Sequence, residues 1–282
     1  MREGVRMKAI ELIGVSKVYP QATGGRAALD DVSLAVEQGA SLGLIGESGS
    51  GKTTIAKILL GLEPASGGEV VIAGHRIDGR PRGRRARIEH ARRIQIVFQD
   101  PYLSLNPRLA VGDAIERTLR LHSVERSGAR RRALELLAQV GLGEREADAL
   151  PGMLSGGQRQ RAAIARALAV GPRVLILDEA VAALDVSVQA QVLNLFNDLR
   201  EAEGLSYLFI THNLAVVQYV TDDAVVLRQG RVVEHGPTRE LLARPTSPYT
   251  VELLDSIPRG IPRRRHDPVV APAAALTEST SS

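Results

Sequence analysis

The stretch Gly46-Glu47-Ser48-Gly49-Ser50-Gly51-Lys52-Thr53-Thr54 constrains this chain more than any other. It follows a short apolar, β-rich run at 41–45 and precedes a helix-like run at 55–60, so it fits GxxxxGK[ST] in the strand-loop-helix setting that this pattern requires. Glycines let a backbone wrap closely round an anion, so that successive N–H groups and the helix N-terminus point at a phosphate. Lys52 is then placed to reach the β- and γ-phosphates of a nucleotide, and the Thr53 hydroxyl to ligate Mg²⁺.

The remainder of the chain supplies an α/β setting for such a loop. Apolar β-rich runs recur at 41–45, 94–98, 174–177 and 205–210, with helical segments between them, which predicts a buried, largely parallel sheet. The run Val174-Leu175-Ile176-Leu177 has no polar face, which a central strand covered on both sides requires. Residues 68–77 and 224–233 read as hairpins, the second turning at Gln229-Gly230. Between 111 and 169 the periodicity is helical, clearest at 130–140 and 158–169, so a helical insertion divides the strands. From Pro258 onward proline, arginine, alanine and serine dominate without periodicity, which predicts a disordered tail.

Composition excludes several function classes. Among 282 residues there is no cysteine, so disulfides, thiolate metal sites and cysteine nucleophiles are ruled out. No apolar run approaches the length of a membrane span, and the first ten residues lack the apolar stretch of a secretory signal. The net charge of +4 rests on arginine, which clusters at 80–93 and 263–265. Aromatic residues make up only 3% of the chain, too few for a base-stacking surface, so both clusters read as solvated face or tail and no nucleic acid is expected.

Two further features carry chemistry. The strand at 174–177 ends in Asp178-Glu179, and a carboxylate at the C-terminal edge of a parallel strand beside a phosphate loop is placed to hold Mg²⁺ through water. Glu179 faces another way and is a candidate to orient or deprotonate an attacking water. The second feature is Leu154-Ser155-Gly156-Gly157-Gln158. Ser155 with Gln158 is a capping box for the following helix. Yet two glycines in a first helical turn destabilise it by roughly 1 kcal/mol each relative to alanine, which suggests close approach to another molecule and a second anion site.

Taken together, these residues make the chain resemble the ATP-binding cassette (ABC) ATPases over nearly its whole length. Residues 46–54 resemble the Walker A loop, Gln99 after Val97-Phe98 the Q-loop, and 154–158 the signature sequence. Asp178 and Glu179 resemble the Walker B pair, Ala183-Leu184-Asp185 the D-loop, and His212 the switch histidine. Tyr19 lies where that family stacks an aromatic on adenine. Read alone, Tyr19 is a packing residue, Gln99 begins a loop and His212 caps the helix starting near Asn213. The closer likeness is to ATP-binding subunits of dipeptide and oligopeptide importers, carried by 98–107, by 184–189 and by Pro245-Thr246-Ser247-Pro248-Tyr249-Thr250. Ser247 stands where that family usually has histidine, and Ala180-Val181 where most ABC ATPases have Pro-Thr.

The resemblance implies a P-loop NTPase fold with a mainly parallel core sheet, an antiparallel β subdomain and a helical subdomain at about 101–170. It implies an ATPase domain at 7–240, an importer-type extension at 241–258 and a tail at 259–282. ATP and Mg²⁺ are the implied cofactors, with Thr53, Gln99 and Asp178 toward the metal and Lys52, Glu179 and His212 as catalytic residues. Tyr19, residues 46–54 (Gly46, Ser48, Gly49, Ser50, Gly51, Lys52, Thr53, Thr54), Gln99, Ser155, Gly156, Gly157, Gln158 and Asp185 are the implied nucleotide-binding set. A second ABC ATPase subunit packed head to tail, two transmembrane permease subunits and, indirectly, an extracellular solute-binding protein are the implied partners, at the cytoplasmic face of the membrane. A soluble ABC ATPase of translation or DNA repair is the alternative. Such proteins commonly carry tandem cassettes, a zinc module or a coiled-coil insertion, and this chain has none of the three.

Overall fold

The computed structural model describes residues 7–20, 27–122 and 126–255; the tail expected at 259–282 lies outside them. Ten strands form two sheets. The first is antiparallel, in the order β2 (Leu29–Glu37), β1 (Lys8–Lys17), β4 (Gly67–Ile72), β5 (His75–Arg76). The second runs β10 (Arg231–Pro237), β9 (Asp223–Arg228), β3 (Ser41–Ile45), β8 (Ser206–Ile210), β7 (Val174–Asp178), β6 (Ile94–Phe98). All its neighbouring pairs are parallel except β9 with β10.

Strand β7 lies inside this sheet, one strand from the edge; β3 and β8 hold the centre. All three are buried along nearly their whole length, and side-chain alternation divides their residues between two cores. Leu175, Leu177, Tyr207 and Phe209 join the core beneath the helices, whereas Val174, Ile176, Leu208 and Ile210 join the core shared with α1 (Lys52–Leu59) and the antiparallel sheet. A continuous apolar run is therefore required: each face of the strand has its own core to fill. The first core also holds the mutually edge-on rings of Phe196, Tyr207 and Phe209, 5.7–5.9 Å apart.

Both hairpins form as the sequence predicts. Gln229 and Gly230 have φ of 51° and 80°, the left-handed pair that a two-residue turn between twisted strands needs. The helical insertion consists of α3 (Val111–Leu121), α4 (Arg126–Gln139), α5 (Glu144–Asp148) and α6 (Gly156–Leu168). The arginine cluster lies on and just before α2 (Gly83–Arg93), on which His90 alone is buried, so these arginines are a solvated face. Helix α7 (Val186–Glu203) follows β7, α8 (Leu214–Val220) follows β8, and α9 (Thr238–Ala243) and α10 (Pro248–Asp255) close the described chain.

Candidate functional site

In the parallel part of the sheet the C-terminal ends of the strands share one edge, and the chemistry sits there. β3 runs into the glycine-rich loop, β6 into Gln99, β7 ends at Asp178 and β8 leads to Thr211 and His212. A cleft of about 420 Å³ at this edge is lined by Ser48, Gly49, Gly51, Lys52, Thr53, Thr54, Asp178, Glu179 and His212, together with Ala28 and Ile210.

The loop conformation explains its composition. At Gly46 φ is 154°, and a Cβ there would lie 2.2 Å from the Leu227 carbonyl oxygen, so no larger residue lets the loop leave β3. Helix α1 starts at Lys52 with no side chain capping it, so its first N–H groups face the cleft bare. Lys52 is buried; its Nζ donates to the carbonyl oxygens of Gly46 (2.5 Å) and Glu47 (2.7 Å). Burial holds the ammonium below its ordinary range, while Glu179, Asp178 and Glu47 act against that shift. Burial, reinforced by Glu179, pushes the Asp178 carboxyl up, and Lys52 opposes it. Among the described residues no hydrogen-bond donor is assigned to the Asp178 carboxylate. A half-buried acid with the Thr53 hydroxyl on the same cleft fits a divalent cation that takes its other ligands from phosphate and water.

Glu179 has φ of 48°, unusual for a residue with a side chain, and its N–H donates to the Ile210 carbonyl. This pins the residue between β7 and β8 and turns its carboxylate toward His212, whose Nδ1 lies 2.8 Å from Oε1. His212 is not the helix cap. Asn213 takes that place, accepting from the Ala215 N–H at 3.0 Å.

Nine site residues named from sequence do not line this cleft among the described residues: Gly46 and Ser50 of the loop itself, and Tyr19, Gln99, Ser155, Gly156, Gly157, Gln158 and Asp185. The Tyr19 hydroxyl donates to Glu63 at 2.5 Å, with Lys17 5.1 Å from its ring centroid. Gln99 is exposed beyond β6. The capping box at Ser155 is formed, its Oγ accepting from the Gln158 N–H at 3.2 Å and the Gln158 side chain from the Ser155 N–H at 2.9 Å. One glycine there has an internal cause, which corrects the sequence expectation: a Cβ on Gly157 would lie 2.5 Å from Val188 Cγ1, so helix packing excludes it. For Gly156 the nearest atom, Leu184 Cδ2, is at 3.8 Å and leaves room. Asp185 precedes α7 without capping it, beside Val186, which is 76% exposed.

Two contacts to the glycine-rich loop escaped sequence reading. The Gly230 N–H of the β9–β10 turn donates to the Ser50 carbonyl at 2.8 Å, and the Glu47 N–H donates to the Tyr249 hydroxyl at 3.2 Å. Both join residues about 180 to 200 positions apart, beyond the reach of any local pattern.

Residues 29–182 match the ABC transporter family. The chain is 43% identical over 272 residues to the oligopeptide transport ATP-binding protein OppF of Bacillus subtilis, covering 93% of this chain and 89% of that one. It is 44% identical over 266 residues to the dipeptide transport ATP-binding protein DppF of Escherichia coli, covering 92% and 79%. Among solved structures, an ATP-binding cassette captured as a dimer in a post-hydrolysis state with ADP and Pi superposes with a TM-score of 0.72 at 31% identity, over 82% of this chain and 99% of that one. CbiO1 of Clostridium perfringens, part of the ABC transporter complex CbiONQ, superposes with a TM-score of 0.76 at 26% identity, over 84% of this chain and 92% of that one. With a phosphate loop, a paired acid and histidine and a matching cassette fold in one chain, this protein belongs to the ABC transporter family and is one of its ATPases.

Proposed function

We propose that the chain is the ATP-binding, ATP-hydrolysing subunit of an importer of peptides or similar small solutes, acting with separate permease subunits at the cytoplasmic face of the membrane. The relatives' names support the cargo class, and no helix among the described residues is long and apolar enough to cross a membrane itself. The observation that carries the reading is the convergence of Lys52, Thr53, Asp178, Glu179 and His212 on one cleft. Within the chain, 7–240 would be the ATPase domain, with its helical subdomain at about 101–170, and 241–258 an importer-type extension.

In this reading the loop N–H groups and the α1 N-terminus hold the β-phosphate, and Lys52 turns from its carbonyl partners toward the β- and γ-phosphates. Thr53 and Asp178, with Gln99, would hold Mg²⁺, which supplies charge neutralisation at the phosphoryl oxygens. His212 steadies the Glu179 carboxylate, which accepts a proton from the attacking water as that water's oxygen bonds to the γ-phosphorus and ADP leaves. The partner cassette would close the site with its own Ser155, Gly156, Gly157 and Gln158, and Tyr19 would stack on adenine. Support for a head-to-tail partner comes from the open approach over Gly156 and from the exposed Asp185 and Val186.

Glu179→Gln tests the assignment. ATP binding should persist while turnover falls about a hundredfold or more, the scale of losing general base catalysis. ATPase activity close to wild type would remove Glu179 from the role.

A further inference from the structure

The C-terminal helix α10 lies beyond the family-matched segment and has been given no part in the chemistry, yet its one aromatic residue reaches the phosphate loop. Tyr249 is 4% exposed and shares a core with Ile45, the last residue before the loop, and with Leu214, two residues after His212. Its ring is restrained by the Arg228 guanidinium, 4.5 Å from the centroid. The approach to the helix is fastened separately. The Glu234 carboxylate accepts from the backbone N–H groups of Thr246 (2.7 Å) and Ser247 (3.1 Å) and from the Thr246 hydroxyl (2.9 Å).

We propose that Tyr249 is a positioning residue of the nucleotide site, acting through the Glu47 peptide; this rests on the ATPase reading above. The peptide joining Gly46 to Glu47 is a junction. Its N–H is held by Tyr249, and its carbonyl, that of Gly46, accepts from the Lys52 ammonium at 2.5 Å, while the Glu47 carbonyl of the next peptide accepts from the same ammonium and from the Ser50 N–H at 3.2 Å. Turning it moves the lysine that meets the phosphates and the turn that presents the next N–H groups. Without the hydroxyl, the partly buried Glu47 N–H loses its acceptor, and the loop must either leave it unsatisfied or shift. Helix α10 is thereby coupled to nucleotide affinity.

Tyr249→Phe, in the full transporter assembled with its permease subunits, tests this because the ring, its packing and the Arg228 contact remain. KM for ATP should rise roughly three- to tenfold, the equivalent of one neutral hydrogen bond, with kcat nearly unchanged, since ground state and transition state use the loop alike. A merely structural role lowers the folded fraction, which reduces apparent kcat and leaves KM alone; that result overturns the proposal, as does a wild-type KM. Should Tyr249→Phe fail to fold, Glu234→Gln loosens the approach to α10 without touching the loop and must raise KM in the same direction; an unchanged KM there also overturns it. Lys52→Ala serves as the control: lost ATP binding with Tyr249→Phe indistinguishable from wild type sinks this inference alone, whereas ATP binding retained in Lys52→Ala sinks the ATPase reading first.

Discussion

Gly156 and Gly157 are adjacent, chemically identical and held in place by different neighbours. Val188 of the same chain excludes a side chain at Gly157, whereas above Gly156 only a distant leucine methyl is met. Gly157→Ala should therefore destabilise the isolated chain by about 1–3 kcal/mol, read as a lowered melting temperature. Gly156→Ala should leave melting nearly unchanged and, if a partner's nucleotide packs there, slow hydrolysis in the assembly; a large melting shift would refute that division of labour. Residue-scale titration gives a second test. Burial holds the imidazoles of His90, whose Nε2 lies 2.9 Å from the Leu59 carbonyl oxygen, and of His122 below their ordinary range. The unfolded chain then binds protons that the folded chain resists, so this stability is complete above the ordinary histidine value of 6.5 and is lost as pH falls below it. Melting temperature should decline on acidification from about pH 8 to about pH 5.5, and His90→Gln should flatten the decline. A wild-type melting temperature that rises over that range would contradict the assignment.

At the scale of elements, helix α7 and strand β8 meet through three aromatic rings. Phe196 is fully buried between two edge-on rings, and its carbonyl accepts from the Tyr207 hydroxyl at 2.9 Å. Phe196→Ala should cost about 3–5 kcal/mol through lost burial and a cavity, measurable by denaturant unfolding. The segment 100–108 shows how an element decides which apolar residues remain available. It forms a short turn at Pro101–Leu103, started by the Asp100 carboxylate accepting from the Tyr102 N–H. Leu105 is 2% exposed within the helical core and so cannot anchor a partner; the side chain of Leu103 lies outside what the structure describes. Tyr102 stays 45% exposed, 5.0 Å under the Arg159 guanidinium, whose Nη1 holds the Leu154 carbonyl next to the exposed Met153.

For the whole molecule, we propose these exposed groups around Tyr102 and Met153 as the face that a membrane subunit would meet. Tyr102→Asp combined with Met153→Asp should reduce recovery with the permease subunits more than tenfold, since each buried anchor contributes about 1.5–3 kcal/mol, while ATP binding stays intact. Undiminished co-purification would move the docking face elsewhere. Sequence alone determined what is local: the loop at 46–54, the two-residue hairpin at Gln229-Gly230, the capping box at Ser155 and the apolar strand at 174–177, each dictated by backbone geometry within a few residues. Resemblance carried the antiparallel β subdomain and the roles suggested for Gln99, Asp185 and His212. Only the tertiary structure decided which side chains meet. The Glu179–His212 contact spans 33 positions, the Gly157–Val188 approach 31 and the Tyr249–Glu47 bond 202. Such pairings come from strands being laid side by side and helices packed across them, and no periodicity along a chain records which distant residue a strand end will face.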